Sequence, residues 1–408
     1  MSSANGRQDL SALGVQDLSA LGIQALVDPG KTPTDEQVRV IEAPRRPLLV
    51  VAGAGSGKTE TMSMRVLWLV ANHEDIAPSS VLGLTFTRKA AGELGDRLRQ
   101  RLALLARRVP SLRERLDEDP VSLTYNSFAE RIVAEHGMRI GIDPDFTMLT
   151  EAGAVDLMTQ IVEGWPTDLD EDLSPSAVVG HCLHLAGEVG EHGYTVEEAR
   201  DALEGFGRDL EQIGATNDTA RRTARANARR LAYLGPVEEF QRRKREGGLL
   251  DFSDQLVLAT RIVREAPAVR AQVRDEFQAV LLDEFQDTSV IQMELLSLLF
   301  HDHAVTAVGD PNQAIYGWRG ASASSLERFL DRFQDGPAQP GQTLTLSTAW
   351  RNDRNILRAA NRVAAPLREH SRVAKSPELR ARPGAGEGRV DIAYTQDYRS
   401  ALGAVVDF

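Results

Sequence analysis

A single cysteine, Cys182, stands among 408 residues. One thiol makes no internal disulfide framework and no cysteine-based zinc site. No apolar run reaches the length needed to cross a bilayer. The N-terminus lacks the basic-then-apolar pattern of a secretory signal. A reducing cytoplasm is the expected compartment, and the chain reads as soluble and intracellular. A general excess of basic residues is also missing, since 47 Lys and Arg against 59 Asp and Glu give a formal net charge of −12. That excludes a protein coated in basic surface. It does not exclude a local basic channel on an acidic body, which is all a nucleic-acid backbone requires. Hydrophobic residues are plentiful at 42%, enough for a large core, and the length allows two or three domains.

One stretch organises the rest. Leu48-Leu49-Val50-Val51 reads as a buried strand, and Glu60 to Val70 reads as a helix. Between them lies Ala52-Gly53-Ala54-Gly55-Ser56-Gly57-Lys58-Thr59, a glycine-rich turn. Strand, turn and helix in that order make a phosphate cradle. Gly53, Gly55 and Gly57 carry no Cβ, so backbone N–H groups close around anionic oxygens. Lys58 is expected to reach the β- and γ-phosphates, and the Thr59 hydroxyl to ligate Mg²⁺. Ala52 stands where the strict pattern has Gly.

Further strands are expected at Val81–Thr87, Val121–Tyr125, Phe277–Leu282, Ala304–Val308, Thr343–Leu346 and Arg389–Tyr394. Helices are expected between them, and that alternation means a parallel α/β sheet. From about 150 to 245 the texture changes to Ala, Glu, Arg and Leu, which reads as a helical insertion. Residues 1–30 read as an extension. In it Gln8–Val15 recurs almost unchanged as Gln16–Ile23, a repeat of eight residues. That is too short for a solenoid unit. It is either a weakly structured duplication or a short docking helix.

Two of the apolar strands end in carboxylates, Asp283-Glu284 and Asp310. Ligands of a doubly wound sheet bind at the carboxyl ends of its strands, so all three acids can face the phosphate cradle. Asp283 is expected to hold Mg²⁺, directly or through water. Glu284 is expected to position and deprotonate an attacking water. Gln313, Arg319 and Arg351 are candidates for reading the γ-phosphate, because hydrolysis needs cationic stabilisation of the leaving oxygen.

Four runs carry a resemblance: Ala52–Thr59, Thr85–Leu94 (Thr-Phe-Thr-Arg-Lys-Ala-Ala-Gly-Glu-Leu), Asp283–Thr288 (Asp-Glu-Phe-Gln-Asp-Thr) and Val308–Ala321 (Val-Gly-Asp-Pro-Asn-Gln-Ala-Ile-Tyr-Gly-Trp-Arg-Gly-Ala). In their order and spacing the chain resembles the N-terminal part of superfamily 1 DNA helicases of the UvrD/Rep/PcrA type, over residues from about 32 to 408. Within that group it is reminiscent of actinobacterial helicases with a fused RecB-like nuclease domain.

The resemblance implies a RecA-like parallel-sheet motor domain that binds ATP and Mg²⁺. Gln37 would read the adenine edge, and Trp350 would stack on the adenine in place of the family's usual Tyr. Arg351 would contact the γ-phosphate from the second motor domain. Gln313 would couple phosphate state to DNA. Phe86, Tyr125, Tyr316 and Trp318 would line a single-strand path, beside Thr85, Arg88 and Arg319. Base stacking there contributes about 1–3 kcal/mol per base and tolerates any sequence. Asn126 and Asn312 depart from the family's usual His and Asp. The implied domains are an extension (1–30), a first motor domain (31–130 and 246–345), a helical insertion (131–245) and the beginning of a second motor domain (346–408). That second domain continues further in the family and carries a late arginine. The chain is therefore read as a fragment or one piece of a split protein, with the second domain cut short.

Within the insertion lies the basic stretch Arg221, Arg222, Arg225, Arg229 and Arg230, in which 222, 225 and 229 share a helix face, as do 221 and 225. They read as a solvated face or as a duplex-phosphate contact. The expected function is an ATP-dependent DNA helicase or translocase in repair or recombination, moving 3′ to 5′ by family analogy. Its partners are single-stranded DNA and duplex junctions, with no membrane, and a helicase-nuclease or repair subunit as a further partner. The expected location is the cytoplasm, with the nucleoid. Two other readings stand beside it: a nucleotide- and DNA-binding module without motor action, and a P-loop NTPase that regulates a protein partner.

Overall fold

A computed structural model describes residues 18–143, 145–170, 172–214, 217–315, 317, 325–334, 341–370, 375–392 and 394–406. Helix α1 (Ala20–Val27) is capped by Ser19. Helix α2 (Asp35–Ile41) opens on a capping box in which Thr34 and Gln37 satisfy each other's backbone N–H. Strands and helices then alternate: β1 (Leu48–Ala52), α3 (Lys58–Asn72), β2 (Val81–Thr85), α4 (Arg88–Arg108), β3 (Val121–Thr124) and α5 (Tyr125–His136). The insertion follows, with β4 (Thr147–Met148), α6 (Glu151–Glu163), α7 (Pro175–Glu191), α8 (Val196–Ile213), α9 (Asp218–Glu246) and β5 (Leu249–Leu250). The sheet resumes through α10 (Phe252–Glu265), α11 (Pro267–Glu276), β6 (Ala279–Leu282), α12 (Val290–Phe300), β7 (Val305–Gly309), α13 (Ser325–Phe333) and β8 (Gln342–Leu346). Last come β9 (Thr348–Ala349), α14 (Arg354–His370), β10 (Arg380–Ala381) and α15 (Tyr398–Val406).

The six-stranded sheet has the order β3-β2-β6-β7-β1-β8, and every pairing in it is parallel. Strands β1, β2, β6 and β7 are buried along their whole length. That is the consequence of covering both faces with helices, and it explains why these segments read as unbroken apolar runs. Alternate side chains serve opposite cores. Leu49 and Val51 pack with α5, α10, α12 and α13, while Leu48, Val50 and Ala52 pack with α1 to α4. This is the expected RecA-like α/β architecture. Because β7 lies between β6 and β1, the phosphate loop after β1, Asp310 after β7 and Asp283 after β6 line up along one sheet edge.

Helices α6 to α9 enclose a third core, running from Met158 to Phe240. The parallel pair β4–β5 closes its neck, with Thr147 opposite Leu249 and Met148 opposite Leu250. Lys244 locks the same junction, reaching Asp251 at 2.5 Å and Asp254 at 2.7 Å. The expected boundary between 130 and 131 falls inside α5, whose Phe128, Ala129, Ile132 and Val133 share a core with α10 and α12. We place the start of the insertion at β4.

Part of the extension is ordered against the body. Ala20 and Ile23 on α1 are fully buried, so over its described residues, 18–23, the second copy of the repeat packs as a docking helix. The first copy lies outside the described residues. An expected strand over Arg389–Tyr394 does not form among the described residues, and Ile392 and Tyr394 are exposed. A strand needs a neighbouring backbone to bond, and none is described beside this one. Among the described residues, no helix is long and apolar enough to cross a membrane.

Candidate nucleotide-binding site

Ala52 ends β1 fully buried and without a positive φ, so the missing glycine costs the loop nothing. Gly55 and Gly57 have φ of +74° and +83°, the left-handed backbone that only glycine takes without strain. Gly57 precedes Lys58, the first residue of α3, so the loop delivers its N–H groups to a helix N-terminus. The Ser56 hydroxyl is buried in the cradle with no partner. Thr59 is half-buried one residue into the helix.

Lys58 Nζ lies 2.9 Å from Glu284 Oε2. Asp283 is held at the end of β6, where its N–H donates to Leu84 O at 2.9 Å. Its carboxyl is pushed up to about 6, chiefly by burial and then by the Glu284 carboxylate, with Lys58 opposing. Glu284 takes φ +49°, a conformation non-glycine residues rarely adopt. Strain of that kind persists where the surroundings over-determine it.

A hydrogen-bond relay runs away from Glu284. Gln286 Nε2 donates to Glu284 Oε2 at 3.0 Å, and Gln286 Oε1 accepts from Asp310 N at 3.0 Å. Asp310 Oδ2 accepts from Gln313 Nε2 at 2.6 Å, and its Oδ1 accepts from Ser376 Oγ at 3.2 Å. Gln313 is thus joined to the acids through Asp310 and Gln286. Sequence reasoning gave Gln286 and Ser376 no role. Gly309 carried a signal for the first, because a Cβ there would sit 2.7 Å from Gln286 Oε1.

The segment after β8 folds over the loop. Trp350 N donates to Gly55 O at 2.8 Å. A Cβ on Gly55 would lie 3.1 Å from Arg351 Cβ, and one on Gly53 would run into the Leu379 side chain. Ser347 binds Glu36 on α2 through both its N–H and its hydroxyl, each at 2.7 Å. Gln37 and Trp350 converge beside Gly57, where a Cβ would be 2.9 Å from Gln37 Nε2 and 3.7 Å from Trp350 Cδ1. They wall a cavity of about 510 Å³, whose other side is Gln24 and Gly30 to Pro33. Nothing in the sequence marks Gln24 or Gly30 to Pro33 for this wall.

The DNA candidates fare unevenly. Thr85, Phe86 and Arg88 lie at the carboxyl end of β2 and the start of α4, with Thr85 buried and its hydroxyl donating to Thr87 O, Phe86 half-buried and Arg88 exposed. Tyr125 needs a correction. It is 4% exposed, its ring packs on Phe86 at 5.1 Å, and its hydroxyl donates to Asp283 O at 3.0 Å. It supports the acids from beneath, with no open face for a base. Tyr316, Trp318 and Arg319 lie outside the described residues. On α9, Arg229 is paired with Asp170 at 2.7 Å and Asp172 at 3.4 Å, while Arg222, Arg225 and Arg230 line a cleft of about 840 Å³ against α7.

Among the described residues no group of three or more His, Cys, Asp or Glu could hold a metal. Magnesium suits the site nonetheless, because it keeps several waters and binds through one or two carboxylates plus substrate phosphates. Half-buried Asp283 at the end of β6 is such a donor, and Ser56 and the loop's N–H groups fit phosphate oxygens.

The family description "UvrD/REP helicase N-terminal domain" matches residues 33–334. Among similar proteins, DNA helicase II of Escherichia coli (strain K12) is 30% identical over 330 residues, covering 80% of this chain and 39% of that protein. DNA helicase II of Haemophilus influenzae is 29% identical over 332 residues, covering 81% and 40%. The ATP-dependent DNA helicase PcrA of Staphylococcus aureus (strain NCTC 8325) is 28% identical over 331 residues, covering 80% and 39%. The chain thus spans about two-fifths of the length of these relatives. Phosphate loop, strand-end acids and five of the six sheet strands, all but β8, fall within the matched span, and the chain belongs to the UvrD/REP helicase N-terminal domain family.

Proposed function

We propose that this chain is the ATP-hydrolysing part of a DNA helicase that moves on single-stranded DNA. The observation that carries this reading is the meeting of Lys58 and Glu284 at 2.9 Å, with Asp283 beside them, at the mouth of the phosphate loop. The loop N–H groups, Lys58 and Ser56 bind the phosphates, and Gln37 and Trp350 hold the base. Asp283 and Thr59 hold Mg²⁺, which neutralises charge on the phosphate oxygens when bound. Glu284 orients a water and takes its proton. Arg351, lying over Gly55, offers positive charge to the leaving phosphate. Gln313 senses phosphate state through Asp310 and Gln286.

Thr85, Phe86 and Arg88, with Tyr316, Trp318 and Arg319, form the single-strand path in this reading. Its support is the family's runs at those positions and the place of the first three at the sheet's carboxyl edge. The relatives' names support action on DNA. Polarity from 3′ to 5′, a part in repair or recombination, a cytoplasmic site near the nucleoid and a nuclease or repair partner rest on the resemblance alone.

Two other readings make the chain a nucleotide- and DNA-binding module without turnover, or a regulatory NTPase indifferent to DNA. ATP hydrolysis measured with and without single-stranded DNA separates the three. Many-fold stimulation is the expected result. DNA binding without turnover would point to the module, and turnover blind to DNA to the regulator.

A further inference from the structure

The eight-residue repeat is a sequence feature that the nucleotide site leaves unexplained. Ser19 to Ile23 of its second copy cap and open α1. Leu18 N donates to Asn72 Oδ1 at 2.6 Å, and Asn72 Nδ2 donates to Leu18 O at 2.8 Å. Ser19 Oγ accepts from Gly22 N at 3.1 Å, capping the helix. Ala20 N donates to Glu42 Oε1 at 2.7 Å. Ala20 and Ile23 are 0% exposed and Gln24 is 3% exposed. Leu26 packs half-buried against the same core.

Eight positions earlier the chain offers the same groups. Leu10, Ser11, Ala12, Val15, Gln16 and Leu18 precede Leu18, Ser19, Ala20, Ile23, Gln24 and Leu26 in register. The one change at a fully buried position is Val15 for Ile23, a single methylene. Asp17 for Ala25 falls at an exposed position. Ser19 for Val27 likewise exchanges an apolar group for a polar one, at a half-buried position.

We propose that the groove formed by α3 and α4, with Asn72 and Glu42 at its rim, is a docking site for a Ser-capped helix and accepts either copy of the repeat. The two copies adjoin without a linker, so a first copy in the same chain competes at far higher effective concentration than one on another molecule. Loss of one buried methylene favours the second copy by a factor of about 2–10. Docking of the first copy adds eight residues to the connection that runs to Thr34. Gly30 to Pro33 in that connection wall the 510 Å³ cavity. The register of docking therefore sets how tightly this wall is strapped. The docking itself does not depend on what the cavity holds.

Hydrogen–deuterium exchange on the full chain tests this without nucleotide, so its outcome is separate from that of the proposed function. In the unaltered protein, residues 20–27 should be protected. An Ala20→Arg variant blocks the second copy, and protection should move to residues 12–19, with exchange there slowed at least about tenfold. Ala12→Arg/Ala20→Arg should leave both copies unprotected, with β1 and α3 reporting whether the body stays folded. Loss at 20–27 with no gain at 12–19 would overturn the proposal. So would a gain seen only at concentrations where the chain dimerises. A second readout spares the buried alanines. In a Cys182→Ser background, Asn72→Cys with Leu10→Cys should cross-link at higher yield than Asn72→Cys with Gly6→Cys, and equal yields would overturn it.

Discussion

Lys58 and Glu284 stand 226 positions apart in sequence, yet their charged groups meet at 2.9 Å across the mouth of the phosphate loop. The ion pair holds the lysine where phosphates are expected to bind, so an incoming nucleotide competes with Glu284 for it. Glu284→Gln should therefore bind ATP more tightly, by a factor of about 2 to 5. Lys58→Ala should bind it at least about tenfold more weakly. Titration calorimetry on the two variants checks both directions.

Gln37 and Trp350 flank Gly57 closely enough that a Cβ there would meet Gln37 Nε2 at 2.9 Å. Trp350→Ala should weaken binding of adenine nucleotides by about 3- to 10-fold through lost stacking. Gln37→Ala should lower the preference for ATP over GTP while leaving phosphate contacts intact. Competition binding with the two nucleotides distinguishes these effects.

Asp283 predicts a pH dependence. Its carboxyl is pushed up to about 6 in the folded chain, against an ordinary value of 3.8. The folded protein therefore holds this proton more tightly than the unfolded one. The stability it contributes is fully present below pH 4 and is lost as pH rises through about 6, by about 2 kcal/mol. Urea denaturation at pH 4 and pH 7 without divalent cations should show a smaller loss in Asp283→Asn than in the unaltered chain.

Arg65 is fully buried in α3. Its guanidinium donates to Thr306 Oγ1 and to the carbonyls of Val40, Ile41, Ala43 and Pro44, at 2.8–3.1 Å. It ties the helix of Lys58 to the C-terminal end of the helix of Gln37. Burial lowers its pKa to about 10, so it remains charged at neutral pH. Arg65→Met should destabilise the chain by about 3 kcal/mol, because several carbonyls lose their donors at once. Lysine should not rescue it, since one ammonium cannot span that fork. Denaturant midpoints of the two variants test this.

Much of the site was legible because its chemistry is local. Ala52–Thr59 carries its own strand, loop and helix signals, and Asp283-Glu284 follows an apolar run that could only be a buried strand. What was not legible depends on contacts between distant segments. Tyr125 reads as an aromatic free to stack until its hydroxyl is seen on Asp283 O. Gln286 gains a role only because Gly309 lets it approach Asp310 N. The wall from Gln24 to Pro33 needed α1 to dock, and that packing has no periodic signature in so short a helix. The boundary near 130 falls inside α5, which looks equally helical in sequence whether it serves the sheet or the insertion.

The central claim is that Lys58, Asp283 and Glu284 make one hydrolytic site. The most direct test is single-turnover ATP hydrolysis with single-stranded DNA present, run side by side on the unaltered chain and on Glu284→Gln. The account predicts DNA-stimulated turnover in the first and a fall of at least about a hundredfold in the second, with ATP still bound. Equal turnover in the two proteins would contradict it.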